Sequence, residues 1–188
     1  MKTLKSHYLL SLIGAVLWLA LGARQLFALP LGLMPLLQSV TVAVLLLIRY
    51  PARWTPPATH TLFAWCAALL PLLMTPGGAT LAVVGLQLAG TSIALWGLWT
   101  LGRSFGIAPA DRGLVEAGPY RLVRHPIYLG ELIGLVAVLL SAPTWINGLL
   151  FVTLAISLVA RSLLEEQAIS GYAAYAASRR WRLLPFLW

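Results

Sequence analysis

The sequence predicts an all-α, polytopic membrane bundle of about six transmembrane helices, five if a short third apolar run is re-entrant, with both termini cytoplasmic. Three observations carry this. Of the 188 residues, 60% are hydrophobic and only 10% are charged, whereas a soluble domain is about a quarter charged. Mean hydropathy is +0.88, and apolar runs near the length of about 20 residues that spans a bilayer recur between short polar breaks. The 13 Lys and Arg, against 5 Asp and Glu, fall between these runs. The composition excludes a soluble cytosolic enzyme, a disordered tail and a disulfide scaffold, and Cys66, the single cysteine, has no intrachain partner. A net charge of +8 would suggest nucleic acid in a soluble chain; here it reads as attraction to the membrane surface, and no nucleic-acid partner is expected.

The first span runs from Tyr8 to about Ala28. Lys2 and Lys5, the apolar stretch and the small residues Ala20, Gly22 and Ala23 also fit a signal peptide, and the segment is read as an uncleaved first span. The second span is Leu33 to Ile48, and the third, Thr61 to Met74, is short and ends at Pro76-Gly77-Gly78. The fourth is Ala79 to Leu101, followed by the longest polar stretch, Gly102 to Arg124. Ile127 to Leu140 and Trp145 to Leu164 are the fifth and sixth spans, joined by Ser141-Ala142-Pro143-Thr144.

Positive-inside bias orients these spans. Lys2, Lys5, Arg49, Arg53, Arg103, Arg112, Arg121, Arg124, Arg161, Arg179, Arg180 and Arg182 all fall on one side, which is then cytoplasmic, and only Arg24 falls outside. The turns at Pro76–Gly78 and Ser141–Thr144 carry no charge. Every acid, namely Asp111, Glu116, Glu131, Glu165 and Glu166, lies at or near the cytoplasmic ends of the last two spans, and the first hundred residues hold none. Residues 1–101 therefore read as a transmembrane scaffold. Residues 102–188 read as the half that carries the chemistry, at the cytoplasmic face of an integral membrane protein of a bacterial inner or other cytoplasm-facing membrane.

Within that half, Gly118-Pro119 marks a turn, and Pro126 suits the first helical position of span five, with His125 near the N-cap. A helix beginning at the membrane surface presents free N–H groups and the positive end of its dipole, a natural anion site, here beside Arg124, His125 and the tyrosines Tyr120 and Tyr128. The competing reading is an interfacial basic and aromatic belt. Arg161 and Glu165 are four apart on one helix face. They form either a surface ion pair of a few tenths of a kcal/mol, or a site in which Arg161 clasps a carboxylate or phosphate and Glu165 accepts from an amine or hydroxyl. Glu131, one turn inside span five, is the deepest acid and needs a partner that the sequence does not name. The basic, aromatic tail from Gly171 to Trp188 is an interfacial segment, a lid over the helix ends, or both. Gly130 and Gly134 match the small-xxx-small pattern of closely packed helices. His7 and His60 are isolated, no metal-ligand spacing is present, and no metal is expected.

The string GPYRLVRHPIYLG over residues 118–130, followed by Glu165-Glu166, Tyr172, Tyr175 and Arg182-Leu183-Leu184-Pro185, resembles the isoprenylcysteine carboxyl methyltransferases and, more widely, the phospholipid methyltransferases. The resemblance covers about Leu101 to Trp188. It implies an all-helical membrane enzyme that takes S-adenosylmethionine from the cytosol and methylates a hydrophobic or lipid-like acceptor, first a carboxylate, otherwise a lipid amine or small thiol. It implies that Arg112, Leu114 and Val115, with Tyr120, His125, Pro126, Ile127, Tyr128, Glu165 and Glu166, bind the cofactor. It also implies that Arg161 contacts the acceptor, Arg124 orients it, and Glu165 joins them in catalysis. Ser178 stands where relatives often carry a basic residue, with Arg179 next to it. Besides the bilayer and the acceptor, no obligatory protein partner is expected. Two other readings stand beside this one: an NADPH-dependent membrane reductase of the sterol type, and a non-enzymatic transporter or assembly subunit.

Overall fold

Seven α-helices account for most of the chain in a computed structural model, which describes residues 2–25, 33–54, 56–184, 186 and 188. The helices are α1 (Lys2–Gln25), α2 (Leu33–Ile48), α3 (Ala58–Leu69), α4 (Leu81–Leu101), α5 (Pro126–Ser141), α6 (Trp145–Ala168) and α7 (Tyr172–Ser178). Short 3-10 turns lie at Leu70–Leu73, Gly102–Ser104 and Gly118–Arg121. Among the described residues the one β-type pairing is an isolated bridge between Trp54 and Asp111. The expected end of the first span at Ala28, the side chains of Lys2, Lys5, His7 and Arg24, and Pro185 and Leu187 of the tail lie outside the described residues.

Local chemistry explains where the helices begin and end. Pro71 has no N–H to continue α3, so the third run tightens into the 3-10 turn Leu70–Leu73. Thr80 and Thr144 cap α4 and α6, each hydroxyl accepting from a backbone N–H of the first turn. Pro126 opens α5 as expected. Helix α6 runs one turn past Leu164, to Ala168, because Arg161 and Ser162 are buried against the rest of the fold rather than lying at a lipid boundary. Gly171, at φ +78°, turns the chain into α7.

Among the described residues, two segments, Leu81–Ser104 and Trp145–Ala168, are long and apolar enough to cross a membrane; Ser11–Ala23, Leu33–Ile48, Ala58–Leu73 and Pro126–Ser141 are shorter apolar helices. Large apolar side chains such as Leu62, Leu81, Trp145, Leu149 and Ile156 point outward and are well exposed, as helices facing lipid require. Helices α4 and α5 pack backbone to backbone through small residues. A methyl group on Gly130 would run into the Gly90 carbonyl and the Ala94 nitrogen, and one on Gly90 would sit 2.6 Å from the Gly130 oxygen. The stripe at Gly130 and Gly134 thus makes the close crossing that its spacing suggests.

The two uncharged turns meet at one end of the bundle. The Asn147 amide, fully buried, donates to the carbonyls of Thr75 and Ala142 and accepts from Thr75 N–H, and Gly77 N–H donates to the Ser141 hydroxyl. The charged segments meet at the other end. Tyr50 N–H donates to the Arg103 carbonyl, Arg53 N–H to the Asp111 carbonyl, and the Arg103 side chain to the Ile48 carbonyl. The loop after α2 thereby staples down the long loop after α4. One apolar core joins α2, α3, α4 and that loop; a second joins α5 and α6 to Met74 and to Leu183 of the tail.

Candidate active site

A cavity of about 350 Å³ runs between the two cores from the charged end into the bundle, within the usual range for small-molecule sites. The loop Ser104–Val115, Tyr120, the start of α5 and the end of α6 wall its charged end; α2, α4, α5, Pro71 and Met74 line its depth. Of the residues expected to hold a cofactor, Arg112, Leu114, Val115, Tyr120, His125, Ile127, Tyr128 and Glu165 line it, as do Arg124 and Arg161. Pro126 and Glu166 do not. Pro126 is buried against Gly97 of α4, and Glu166 faces the tail.

His125 is the hub. Its ring is 5% exposed and lies between the rings of Tyr128 and Tyr172, with centroids 5.6 and 6.2 Å away. Its Nδ1 is 3.6 Å from Glu165 Oε2, and its Nε2 is 3.3 Å from both Glu166 Oε1 and the Tyr172 hydroxyl. Burial disfavours the charged ring, but the two carboxylates outweigh it and raise the imidazole above its ordinary value. The Tyr128 hydroxyl donates to Glu165 Oε1, which aims the carboxylate at the cavity. Tyr175 donates to the Tyr120 carbonyl at 2.7 Å, tying α7 to the Gly-Pro turn, and burial pushes its phenol up to about 12.

Arg161 is buried, donates to the Ile107 carbonyl at 3.2 Å, and sits over the Tyr128 ring at 4.8 Å. It makes no ion pair with Glu165, so the surface-pair reading of these two residues does not describe them. Arg112 enters from the loop. Burial, with Arg49 nearby, pulls it down to about 10, still charged at neutral pH. The buried Nε atoms of Arg112 and Arg161 have no hydrogen-bond partner among the described residues, and a buried guanidinium N–H left without an acceptor at a cavity wall calls for an anion.

Glu166 clamps the tail. Its Oε1 accepts from Arg124 Nη1 at 3.2 Å and from Arg182 Nε at 3.0 Å, and its Oε2 accepts from Arg182 Nη2 at 3.2 Å. Arg124 donates also to the Arg179 and Ala176 carbonyls, while Arg124 N–H and His125 N–H pair with the Trp181 and Arg182 carbonyls. Ser178 only caps its own helix, donating to the Tyr175 carbonyl.

Sequence reasoning missed Asp111. It is 3% exposed; its Oδ1 accepts from Gly113 N–H at 3.0 Å and its Oδ2 from the Ser170 hydroxyl at 2.7 Å. The Ser170 bond leads the contacts that hold its carboxyl below the usual range despite burial. Asp111 thus fixes the loop that carries Arg112 to the end of α6. The short Asp-x-Gly spacing, with Gly113 at φ +99°, was the available signal for such a turn.

No curated protein and no solved structure matches the chain. The sequence profile of the family described as phospholipid methyltransferase matches residues 75–173, more than half of the chain, from the turn before α4 through the first residues of α7. That family is related to the isoprenylcysteine carboxyl methyltransferases, which the string GPYRLVRHPIYLG resembles. The chain belongs to the phospholipid methyltransferase family, a family of membrane methyltransferases.

Proposed function

We propose that the protein is an integral membrane enzyme that transfers a methyl group from S-adenosylmethionine to a hydrophobic, membrane-embedded acceptor. One observation carries this reading: a charged-end pocket in which Arg112, whose buried Nε has no partner among the described residues, and the aimed carboxylate of Glu165 face the same space, continuous with an apolar interior. The donor's amino-acid part carries a carboxylate and an ammonium, matched by Arg112 and Glu165, and the loop at Leu114 and Val115 with the rings of Tyr120 and Tyr128 supplies flat and apolar walls. When bound, S-adenosylmethionine supplies an electrophilic methyl on a sulfonium. The chain's own residues position the reactants and exclude water, which is where an in-line displacement gains most of its rate. His125 and Tyr128 hold Glu165, Asp111 holds the loop of Arg112, and the tail closes the cytoplasmic mouth.

In this reading six spans cross the membrane, both termini and the site face the cytoplasm, and a cell's inner or plasma membrane is the setting. The gathering of arginines at one end, the uncharged turns at the other and the exposed Trp145 beside those turns support it. Residues 1–101 serve as scaffold and cavity wall, and residues 102–188 carry the donor site. Two acceptor chemistries fit. Arg161, with its unpaired Nε, favours a carboxylate; Glu131, facing the same cavity, favours a lipid amine or another protic group.

The test is calorimetric titration of S-adenosylmethionine into the purified protein in nanodiscs, with the variants Arg112→Ala, His125→Ala and Glu165→Gln, and radiolabelled methyl transfer to membrane extracts. Binding by the wild type and a loss of at least tenfold in the variants is expected. Competition by NADPH, or equal donor affinity in all four proteins, overturns the reading.

A further inference from the structure

The polar side chains that line the cavity from inside the bundle and that the donor site does not use include Gln38 on α2, Gln87 on α4 and Glu131 on α5. Among the described residues none of the three has a hydrogen-bond or ion-pair partner. Their polar atoms face the space of the cavity and are open to whatever occupies it, and an ionisable group at such a position in a bundle marks a ligand path. Gln87 and Glu131 converge on one stretch of α5. A methyl on Gly134 would lie 3.7 Å from the Gln87 amide nitrogen, and Gly134 follows Glu131 by one turn on the same helix face. The charged groups facing Glu131 from α6 are Arg161 and Glu165, and Tyr128 faces it from its own helix. Arg161 does not neutralise it by contact, since that guanidinium is held by the Ile107 carbonyl and the Tyr128 ring.

We propose that Gln87 and Glu131 form the head-group subsite of the methyl acceptor, selecting a protic group, ammonium or hydroxyl, and turning away a carboxylate. Glu131 accepts the head group's hydrogen bond and then its proton. The proton passes from the acceptor's nitrogen or oxygen to a Glu131 carboxylate oxygen, and the electron pair of the broken bond stays on the acceptor as the lone pair that reacts. Gln87 offers an amide oxygen to a second donor hydrogen and its N–H groups to a neighbouring oxygen. A carboxylate head group would instead meet the Glu131 carboxylate as a like charge. This subsite rests on the methyl-transfer reading, because its place between the donor pocket and the apolar depth is what makes its occupant the acceptor.

The experiment uses octylamine, octanol and octanoate as probes, each titrated into the full chain in nanodiscs without methyl donor, with empty nanodiscs subtracted. Wild type binds octylamine and octanol at least tenfold more tightly than octanoate. Glu131→Gln loses that preference for the amine by tenfold or more, Glu131→Asp keeps most of it, and neither changes S-adenosylmethionine affinity. Gln87→Leu weakens the amine several-fold and carries the test if Glu131→Gln does not fold. Octanoate binding as well as octylamine, or amine affinity unchanged in the variant that folds, overturns the subsite. Loss of S-adenosylmethionine binding by the wild type, with the probe preference intact, overturns the methyl-transfer reading instead.

Discussion

Replacing Glu166 by alanine removes the carboxylate on which the C-terminal tail is docked. Four contacts go at once: one from Arg124, two from Arg182 and the approach of His125 Nε2. A hydrogen bond to a charged group contributes about 1.5–3 kcal/mol, but these contacts share one acceptor and are not additive. The Glu166 side chain is 13% exposed and that of Arg182 is 31% exposed, so water screens part of the attraction. A loss of about 2–3 kcal/mol is therefore expected, below the range for breaking a fully buried pair. If the loss falls on docking of the tail, its open population rises roughly thirty- to a hundred-and-fiftyfold. Opening must break the backbone bonds that Arg124 and His125 make to Trp181 and Arg182. The peptide bonds after Arg179, Arg180 and Arg182 are then released for cleavage by trypsin, the Arg180 side chain being exposed already, and where reclosing outpaces cleavage the rate follows the open population. Limited tryptic digestion in nanodiscs, read by mass spectrometry at these three bonds, measures that factor directly. Glu166→Gln, which keeps the shape and one acceptor, should show about half the free-energy effect. An unchanged cleavage rate in Glu166→Ala would mean that the tail is held by Leu183 in the core of α5 and α6, and that the carboxylate clamp is incidental.

Three further outcomes follow from the same geometry. His125 titrates above its unfolded value, so the stability it contributes is complete below a pH of about 6.5 and is lost as pH rises through the folded value. Melting temperature in nanodiscs should fall on the alkaline side, and His125→Asn should flatten that slope; a parallel slope in the variant refutes the assignment. Gly130→Ala forces α4 and α5 apart, since the added methyl meets the Gly90 carbonyl and the Ala94 nitrogen, and should destabilise by about 1–3 kcal/mol. Gly134→Ala, where the nearest atom is 3.7 Å away, should be tolerated, and equal melting points for the two variants would contradict the crossing. Asp111→Asn puts an amide where three donors now point, the N–H groups of Gly113 and Ser170 and the Ser170 hydroxyl, and should cost about 1–3 kcal/mol. It should also weaken S-adenosylmethionine about tenfold by freeing the loop of Arg112; calorimetry showing unchanged affinity would confine Asp111 to a structural role.

How far the sequence could be read depended on what the membrane hides. The start of α5 was legible because it rests on local chemistry, Pro126 at a first helical position. The threonine caps at Thr80 and Thr144 emerged only with the structure, as did the break at Pro71, inside a run read through to Met74. Inward faces were not legible, because in lipid both the packed and the exposed sides of a helix are apolar and periodicity loses its contrast. Only the stripe at Gly130 and Gly134 betrayed a buried face of α5, and its partner Gly90 emerges only once α4 is laid against it. The register of that crossing is what brings Gln87 to Gly134, one turn from Glu131 on α5, so a lone glutamine in an apolar run carried no visible meaning. The paired acids show the same limit at shorter range. Glu165 and Glu166 are neighbours in sequence, yet consecutive helical residues point about 100° apart. One turns toward Tyr128 and the cavity, and the other toward Arg124, Arg182 and the tail. The sequence could name the pair, but dividing the labour between them required the third dimension: one carboxylate was free for a ligand because the other had already been taken by the lid.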